Sequence, residues 1–342
     1  MNWNLGFTSS CYMSEVNESS WLDRNGIEII SGSVKREATD LRDSAEVTLT
    51  DYDGKERWVR IYMDTSQNGE SGHVPLFTGL ATSPGRDING YLTTNRVSCY
   101  SVLKPCADVM LQRGWYAPTD ITAGAILRDL LAYTPAPFRI DGEMPSLSQS
   151  VVAEDDETAL TMVDKILKAV NSNGATWRLR LNGDGSIVIE QVSSKPVAIY
   201  STNLADSIEP EITVERDWYS LPNVLRAVSD DLVAIARDDS IDSPLSVQNR
   251  GREIWAQEDN VDLNENESIG DYAIRRLKEL QSIAETISYK RRFNPDIFVG
   301  DLINLHYPEC EIDGDYKVNT QNITLEHGAE TTEEVNQGVI GE

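Results

Sequence analysis

Residues 177–190 read WRLRLNGDGSIVIE, and this stretch carries the clearest β-hairpin signal in the chain. Apolar and basic residues alternate over residues 177–181, which places one face of a strand against a core. The Asn-Gly-Asp-Gly segment at residues 182–185 favours a tight turn, because asparagine and glycine tolerate positive φ. Apolar residues at 187–189 then resume the extended pattern. These residues therefore predict an antiparallel hairpin.

Two amphipathic helices precede this hairpin in the sequence. Apolar residues recur at helical spacing near residues 121–131 and again between residues 159 and 170. The second helix follows an Asp-Asp pair at 155–156, which suits its N-terminal dipole, and Gly174 is its expected end. Together with the hairpin, these helices predict a small α/β domain at residues 113–210.

The segment before this domain is typical of short strands separated by turns. Residues 27–30, 45–49 and 58–63 are rich in β-branched and aromatic side chains, and the last two segments alternate apolar with polar positions. An Asp-Gly pair closes the turn at residues 51–54. We therefore expect an N-terminal β-barrel at residues 1–112.

Strand signals return after residue 210, with one helix among them. The extended segments are 224–228, 232–236, 286–293, 301–307 and 316–325. The helix begins at a capping-box-like pair, Ser268 and Asp271, and one apolar stripe follows. That stripe consists of Ile269, Tyr272, Ala273, Leu277, Leu280, Ala284 and Ile287. These patterns predict a C-terminal β-barrel with one long helix at residues 211–326.

The charge balance excludes several classes of function. The 342 residues include 30 Lys+Arg and 56 Asp+Glu, a net charge of −26. Such a chain repels the phosphates of nucleic acid and the anionic surface of a membrane. Residues 327–342 contain four glutamates and predict a solvated acidic tail.

The chain has no apolar run of about 18 residues, which argues against stable membrane insertion. Its start, MNWNLGFTSS, lacks the basic and apolar regions of a signal peptide, so we expect synthesis in the cytoplasm. Four cysteines are more consistent with free thiols than with a disulfide scaffold. They are Cys11, Cys99, Cys106 and Cys310.

The residues that most often carry catalysis do not form a known motif. The three histidines, His73, His306 and His327, lie in loop-like or strand-like sequence without an adjacent nucleophile, and G-x-S-x-G does not occur. A triad assembled from distant residues stays open, because such residues meet only in space. The sequence predicts no catalytic residue.

Metal and cofactor motifs are also missing. Neither C-x-x-C nor H-E-x-x-H occurs, nor a P-loop or a G-x-G-x-x-G between strand and helix. Two segments resemble calcium loops, beginning at Asp51 and Asp262. A calcium loop needs glutamate at its twelfth position, where these segments have Tyr62 and Ala273. We expect no metal and no cofactor.

Several segments, taken in order, resemble one protein family. Residues 58–62 (WVRIY) lead to 75–79 (PLFTG), and ETAL at 157–160 is followed by LPNV at 221–224. The C-terminal part contains NPDIFVGDLI at 294–303 and DGDYKV at 313–318. This order resembles the hub proteins of phage baseplates and tail tips, the late-control-D or XkdQ-like group, over residues 20–325.

The resemblance implies both a fold and a structural role. Two tail-tube-like β-barrels would flank the α/β insert, and three chains would form a ring that joins the tail tube to the central spike or tip. It implies a homotrimer that contacts distal tail, tail-tube and spike proteins, passed by the tape-measure protein and by DNA in transit. The expected location is the virion, and the resemblance carries over no catalytic residues, so we expect no enzyme.

Two other functions stay open from the sequence. A tail-associated cell-wall hydrolase would use a pair of carboxylates, and the 56 acidic residues contain many possible pairs. A carbohydrate-binding receptor module would stack sugars on exposed tryptophans, for which Trp115 and Trp218 are the candidates.

Overall fold

The computed structural model consists mostly of β-strands. It describes residues 1–3, 5–50, 52–171, 176–201, 208–216, 218–229, 232–259, 261, 263, 267–282, 285–326 and 328–337. The mainly β, α+β fold class expected from the sequence is confirmed.

The first six strands form a closed sheet, here called the N-terminal sheet. They are β1 (Thr8–Val16), β2 (Asp23–Glu37), β3 (Asp43–Leu49), β4 (Arg57–Gln67), β5 (Glu70–Asn89) and β6 (Leu92–Ser101). All neighbours are antiparallel, and the order β1-β4-β5-β6-β3-β2 returns to its start because β2 also pairs with β1. A closed order removes the edges that an open sheet exposes.

An α/β unit follows this sheet. Its elements are α1 (Lys104–Asp108), β7 (Tyr116–Ala117), α2 (Ala123–Leu131), β8 (Phe138–Asp141), β9 (Val151–Val152), α3 (Ala159–Asn171), β10 (Trp177–Leu181) and β11 (Ile187–Gln191). The predicted hairpin is confirmed as β10–β11, with Leu181 opposite Ile187, and β11 pairs in parallel with β8. The apolar faces of α2 and α3 pack on this sheet. Gly174, the expected end of the second helix, lies outside the described residues.

The turn of the β10–β11 hairpin is docked on the N-terminal sheet. The carbonyl of Gly183 accepts a hydrogen bond from Oγ1 of Thr78 at 2.7 Å. The carbonyl of Asp184 accepts from Nη2 of Arg60 at 2.9 Å and from Nε1 of Trp21 at 3.0 Å. These bonds hold the α/β unit against the outside of β4 and β5.

This docking changes the burial of β4. Burial alternates along β3 as the sequence predicts, with Ala45, Val47 and Leu49 buried and Glu46 exposed. Residues 58–63 of β4 also alternate in sequence, yet all six are buried. The inward face packs on the core of the sheet. On the outward face, Trp58 packs into the core of the α/β unit, Arg60 bonds to the hairpin turn, and Tyr62 stacks with Tyr12 and His73.

A second sheet contains the C-terminal strands and is here called the C-terminal sheet. Its strands are β12 (Ala198–Ser201), β13 (Ile208–Arg216), β17 (Glu285–Arg291), β18 (Leu302–Tyr307), β19 (Ile312–Thr324) and β20 (Thr331–Gln337), in the order β13-β17-β20-β19-β18-β12. One edge of β19 is shared: residues 312–317 pair with β18, and residues 320–324 pair with residues 33–37 of β2. The two sheets are thus continuous through β2 and β19.

Residues 224–258 form a separate sheet rather than part of the C-terminal one. Strands β14 (Val224–Ser229), β15 (Leu232–Arg237) and β16 (Trp255–Glu258) have the order β15-β14-β16, with α4 (Val247–Arg250) between β15 and β16. Helix α5 (Ile269–Ser282) packs on one face through Ala273 and Leu277. The sequence-based assignment of residues 224–228 and 232–236 to the C-terminal barrel is therefore wrong, because these strands share a core with the helix instead.

The expected solvated tail at residues 327–342 is also wrong for the part that the structure describes. Residues 331–337 form β20, which is paired on both sides by β17 and β19. Glu333, counted as a tail charge in the sequence, is 0% exposed. His327 and residues 338–342 lie outside the described residues.

We expect Gly183→Ala to loosen the docking of the hairpin turn. A Cβ atom at residue 183 would lie 1.8 Å from the carbonyl oxygen of Pro75, so one backbone must move. The free energy of unfolding, measured by urea denaturation, should fall by about 1–3 kcal/mol. Gly6→Ala is the matched control, since no heavy atom lies within 4 Å of its Cβ position. Equal stability of the two variants would contradict this packing.

Candidate functional site

The histidines considered in the sequence lie on strand surfaces. Nδ1 of His73 is 2.6 Å from Oδ1 of Asp64, and its ring stacks on Tyr62 with centroids 4.2 Å apart. Nδ1 of His306 is 2.8 Å from Oδ1 of Asp313. Both imidazoles are exposed and contact a carboxylate.

The cysteines are free thiols in the described chain. Burial raises the pKa of Cys11 to about 11, of Cys99 to about 12 and of Cys106 to about 11, so these groups stay protonated at neutral pH. Cys310 is exposed.

Within the described ranges of the chain, no group of three or more His, Cys, Asp or Glu side chains could hold a metal ion. None of the helices in those ranges has both the length and the apolar character needed to cross a membrane. Asp51 and Asp262, where the two calcium-like segments begin, lie outside the described residues.

The two tryptophans proposed for sugar stacking belong to different units. Trp115 lines a shallow cavity of about 250 Å³ on the α/β unit, next to Tyr116 and Tyr133. Trp218 is 40% exposed and precedes β14.

An ion pair is buried inside the C-terminal sheet. Glu333 on β20 is 0% and Arg291 on β17 is 3% exposed, and Nη2 of Arg291 donates to Oε1 of Glu333 at 2.5 Å. The hydroxyl of Tyr289 donates to Oε2 at 2.6 Å, and Nε2 of Gln321 donates to Oε1 at 2.6 Å. Burial disfavours the charge on Glu333, but Arg291 and these donors outweigh it and lower the pKa of the carboxyl below its usual value.

Gln321 connects this ion pair to the N-terminal sheet. It is the register partner of Arg36 where β19 meets β2, and its Oε1 accepts from Nη1 of Arg36 at 3.5 Å. Nη2 of Arg36 donates to the carbonyl of Leu76 at 2.8 Å. Arg36 is 4% exposed, and its Nε makes no hydrogen bond within the described residues. Buried side chains therefore form a hydrogen-bonded series from Glu333 through Gln321 to Arg36, across the boundary between the two sheets.

A second group of charges joins the α/β unit to the C-terminal sheet. Nη2 of Arg178 on β10 lies 2.7 Å from Oε1 of Glu190 on β11 and 2.7 Å from Oδ1 of Asp301, just before β18. Nη1 of Arg178 donates to the carbonyl of Val299 at 3.1 Å. One guanidinium thus bridges the two units.

An aromatic side chain separates the two groups of charges. The guanidinium of Arg180 lies 4.4 Å from the ring centroid of Phe298, and that of Arg36 lies 5.5 Å from the same centroid. Nε of Arg180 also donates to Glu190 at 2.9 Å. Arginine prefers such positions over an aromatic face, since the ring attracts the cation.

A cleft of about 440 Å³ opens where the three units meet. Six basic side chains line it: Arg36, Arg42, Lys168, Arg178, Arg180 and Lys317. Three acidic side chains accompany them: Glu37, Asp43 and Asp164. When Glu190 and Asp301, which pair with Arg178 and Arg180, are also counted, six basic groups face five acidic ones, so the cleft is less acidic than the chain as a whole, whose net charge is −26. The arrangement can bind an anion, so the cleft is the candidate functional site.

Asp43 is the titratable carboxyl of this cleft. It is 7% exposed and stands opposite Arg36 in the β2–β3 register. Burial raises the pKa of Asp43 to about 7, although Arg36 and Arg42 act in the opposite direction. Its charge therefore changes near neutral pH.

None of these residues was expected from the sequence to form a site, although Arg178, Arg180 and Asp301 lie in segments that predicted the hairpin or the family. Glu333 was expected in a tail. Yet residues 331, 333 and 335 alternate along the chain, and Thr331 and Val335 suit a strand. That alternation is the signal that would have found β20. Arg36 carries no comparable signal, because its partners are distant in sequence.

Comparisons with known proteins identify the class of fold. No family model and no curated protein matches the chain. Among solved structures, a tail protein from Neisseria meningitidis MC58 is 14% identical with a TM-score of 0.67, covering 97% of each chain. The 43 kDa tail protein of prophage MuSo2 from Shewanella oneidensis is 12% identical with a TM-score of 0.68, covering 96% of this chain and 98% of that one.

A third solved structure agrees with these two. Prophage tail protein gp18 from Listeria monocytogenes EGD-e is 13% identical with a TM-score of 0.53, covering 97% of this chain and 95% of that one. The chain therefore has the fold of phage tail proteins along nearly its whole length.

We expect Glu333→Gln to destabilise the protein strongly. The substitution leaves the positive charge of Arg291 buried without its counter-ion, which costs about 3–5 kcal/mol in comparable cases. Urea denaturation measures this loss. Glu334→Gln, on the exposed face of the same strand, should change stability by less than about 0.5 kcal/mol. Similar losses in both variants would contradict the proposed importance of the buried pair.

Asp43→Asn should remove a pH dependence of stability. Between about pH 4 and pH 7 the native carboxyl holds a proton that the unfolded chain has lost, so native stability falls as pH rises. The asparagine side chain of the variant does not titrate, so the variant does not lose stability in this way. The free energy of unfolding of the variant minus that of the wild type should therefore be roughly 1–3 kcal/mol larger at pH 8 than at pH 5.

Urea denaturation at the two pH values measures this difference. Asp120→Asn, at an exposed position, is the control and should show no such trend. A constant difference between wild type and Asp43→Asn at both pH values would refute the assignment.

Proposed function

We propose that this chain is a structural component of a phage-type tail or baseplate, with no catalytic turnover. The observation that carries the proposal is the fold: tail proteins from two bacteria superpose on at least 96% of the chain with TM-scores of 0.67 and 0.68. The proposal extends to residence in the virion.

The internal architecture supports a mechanical role. The N-terminal and C-terminal sheets share hydrogen bonds through β2 and β19, and the hairpin turn at Gly183 and Asp184 ties the α/β unit to the first of them. Arg178 bridges the α/β unit to Asp301 beside the second. Units fixed to one another at several points transmit force without rearranging.

The more detailed proposal is a trimeric hub. Three copies would form a ring that joins the tail tube to the central spike or tip, with distal tail proteins as neighbours and tape-measure protein and DNA passing through. The net charge of −26 supports this, because an acidic channel does not retain DNA electrostatically.

An exposed apolar surface supports contacts between copies. On the face of the β15-β14-β16 sheet opposite α5, Val233 is 52%, Ile235 58% and Trp255 52% exposed. Apolar side chains clustered on a surface in this way are typical of interaction sites.

Copy number tests the proposal. Native mass spectrometry of the purified chain, and cryo-electron microscopy of particles that contain it, should give three copies in a ring. A single copy in the assembled particle would overturn the hub. Clearing of bacterial cell wall in zymography would overturn the structural assignment in favour of the hydrolase.

The exposed face provides a matched variant for the same experiment. Val233→Asp with Ile235→Asp should dissociate the trimer while leaving the thermal transition of the monomer nearly unchanged, because both side chains are more than half exposed. Ile241→Asp, at a residue 76% exposed outside this face, is the control and should leave the trimer intact. If the double variant stays trimeric, this face is not the contact between copies.

A further inference from the structure

The cleft described above contains the open edge of a strand. In the three-stranded sheet β10-β11-β8, β10 lies at the edge, and no strand of the described chain pairs with its other side. Residues 176–181 all line the cleft. The main chain of β10, and not only its side chains, therefore borders this space.

The register identifies which main-chain groups point into the cleft. The amide of Val192 donates to the carbonyl of Thr176 at 2.8 Å, and the amide of Asn182 donates to the carbonyl of Ser186 at 3.0 Å. Hydrogen-bonded positions alternate in an antiparallel pair, so the even-numbered residues of this strand bond to β11. The N–H and C=O groups of residues 177, 179 and 181 point away from β11.

One of these three residues is already satisfied by a side chain. Oδ1 of Asn171 accepts from the amide of Trp177 at 2.6 Å, and Nδ2 of Asn171 donates to the carbonyl of Trp177 at 3.0 Å. Leu179 and Leu181 have no such partner for their outward N–H and C=O groups among the described residues. Leu179 and Leu181 are each 6% exposed, and their outward main-chain groups, repeated at about 6.8 Å, form part of the cleft wall.

Basic side chains lie on both sides of this edge. Helix α3 contributes Lys168 on the side where Leu179 and Leu181 bury their side chains, and β19 contributes Lys317 on the side of Arg178. Neither lysine has a carboxylate oxygen within 4.0 Å in the described ranges, although Lys168 lies near enough to Glu258 to help lower the pKa of that carboxyl. An occupant of the cleft therefore meets main-chain donors and acceptors between two lysines.

We propose that this cleft binds an extended acidic segment of another protein, which adds as a strand to the open edge of β10. Main-chain hydrogen bonds to Leu179 and Leu181 would supply affinity, as in other cases of strand addition. Alternate side chains of the segment point to opposite sides, so aspartate or glutamate at alternate positions faces Lys168 or Lys317. The rest of this chain is acidic and repels an acidic segment. That repulsion favours binding in the cleft over binding at other surfaces.

Peptide binding to the full chain tests this site. The probe is fluorescein-labelled, acetylated Glu-Val-Glu-Val-Glu. Its binding is measured by fluorescence anisotropy. We expect saturable binding, at least tenfold weaker binding of Lys-Val-Lys-Val-Lys, and at least tenfold weaker binding when alternate amides of the acidic peptide are N-methylated. Equal binding of the methylated peptide would overturn strand addition.

A charge-matched pair of variants separates the cleft from general electrostatics. Lys168→Glu with Lys317→Glu should weaken binding at least tenfold. Lys195→Glu with Lys278→Glu makes the same change in net charge at exposed positions outside the cleft and should leave affinity within twofold. Equal loss in both double variants would overturn the proposed location.

Hydrogen exchange gives a readout that depends on the main chain. The peptide should slow exchange of the amides of Leu179 and Leu181, whereas those of Arg178 and Arg180 already bond to β11 and should not change. Unchanged exchange at Leu179 and Leu181 would overturn the proposal.

Sedimentation of the chain with excess peptide identifies the source of the segment. An unchanged oligomeric state supports a segment from another protein. Peptide-induced dissociation would instead assign the edge to a second copy and overturn that part of the proposal. This result does not depend on whether the chain is a trimeric hub, because peptide affinity is measured separately from copy number.

Discussion

The buried ion pair between Arg291 and Glu333 constrains the C-terminal sheet of the molecule. Two charges removed from water are tolerated only when each meets its partner in good geometry, and here three side chains donate to one carboxylate. That requirement fixes the positions of β17, β19 and β20 relative to one another. Because Gln321 also bonds to Arg36, the constraint reaches the N-terminal sheet.

The β10–β11 hairpin connects all three units. Its turn bonds to β4 and β5, its Arg178 reaches Asp301, and its apolar face packs under α3. The turn and the two faces of this hairpin make the contacts with the other units. The outer edge of β10 therefore stays free in the described chain. The open edge of β10 in the cleft follows from this arrangement.

Charge is distributed unevenly between the surface and the cleft. The chain carries an excess of 26 negative charges, yet basic side chains outnumber acidic ones among the residues that line the cleft, where Glu190 and Asp301 pair with two of the arginines. The basic groups converge there because each unit contributes some: Arg36 and Arg42 from the N-terminal sheet, Arg180 from the α/β unit, and Lys317 from the C-terminal sheet. Net charge alone would have predicted repulsion of anions everywhere.

The sequence by itself determined the local elements: the β10–β11 hairpin, the apolar faces of α2 and α3, and a mainly β fold. These follow from periodicity and turn chemistry, which depend on neighbouring residues. Only the tertiary structure decided that residues 58–63 are buried on both faces, that residues 331–337 form a strand, and that Glu333 is a core residue. Its partner Arg291 is 42 positions away and Arg36 is 285 positions from Gln321, so local patterns carry no information about these contacts. The cleft was equally hidden, since its walls come from three units that meet only when the chain is folded.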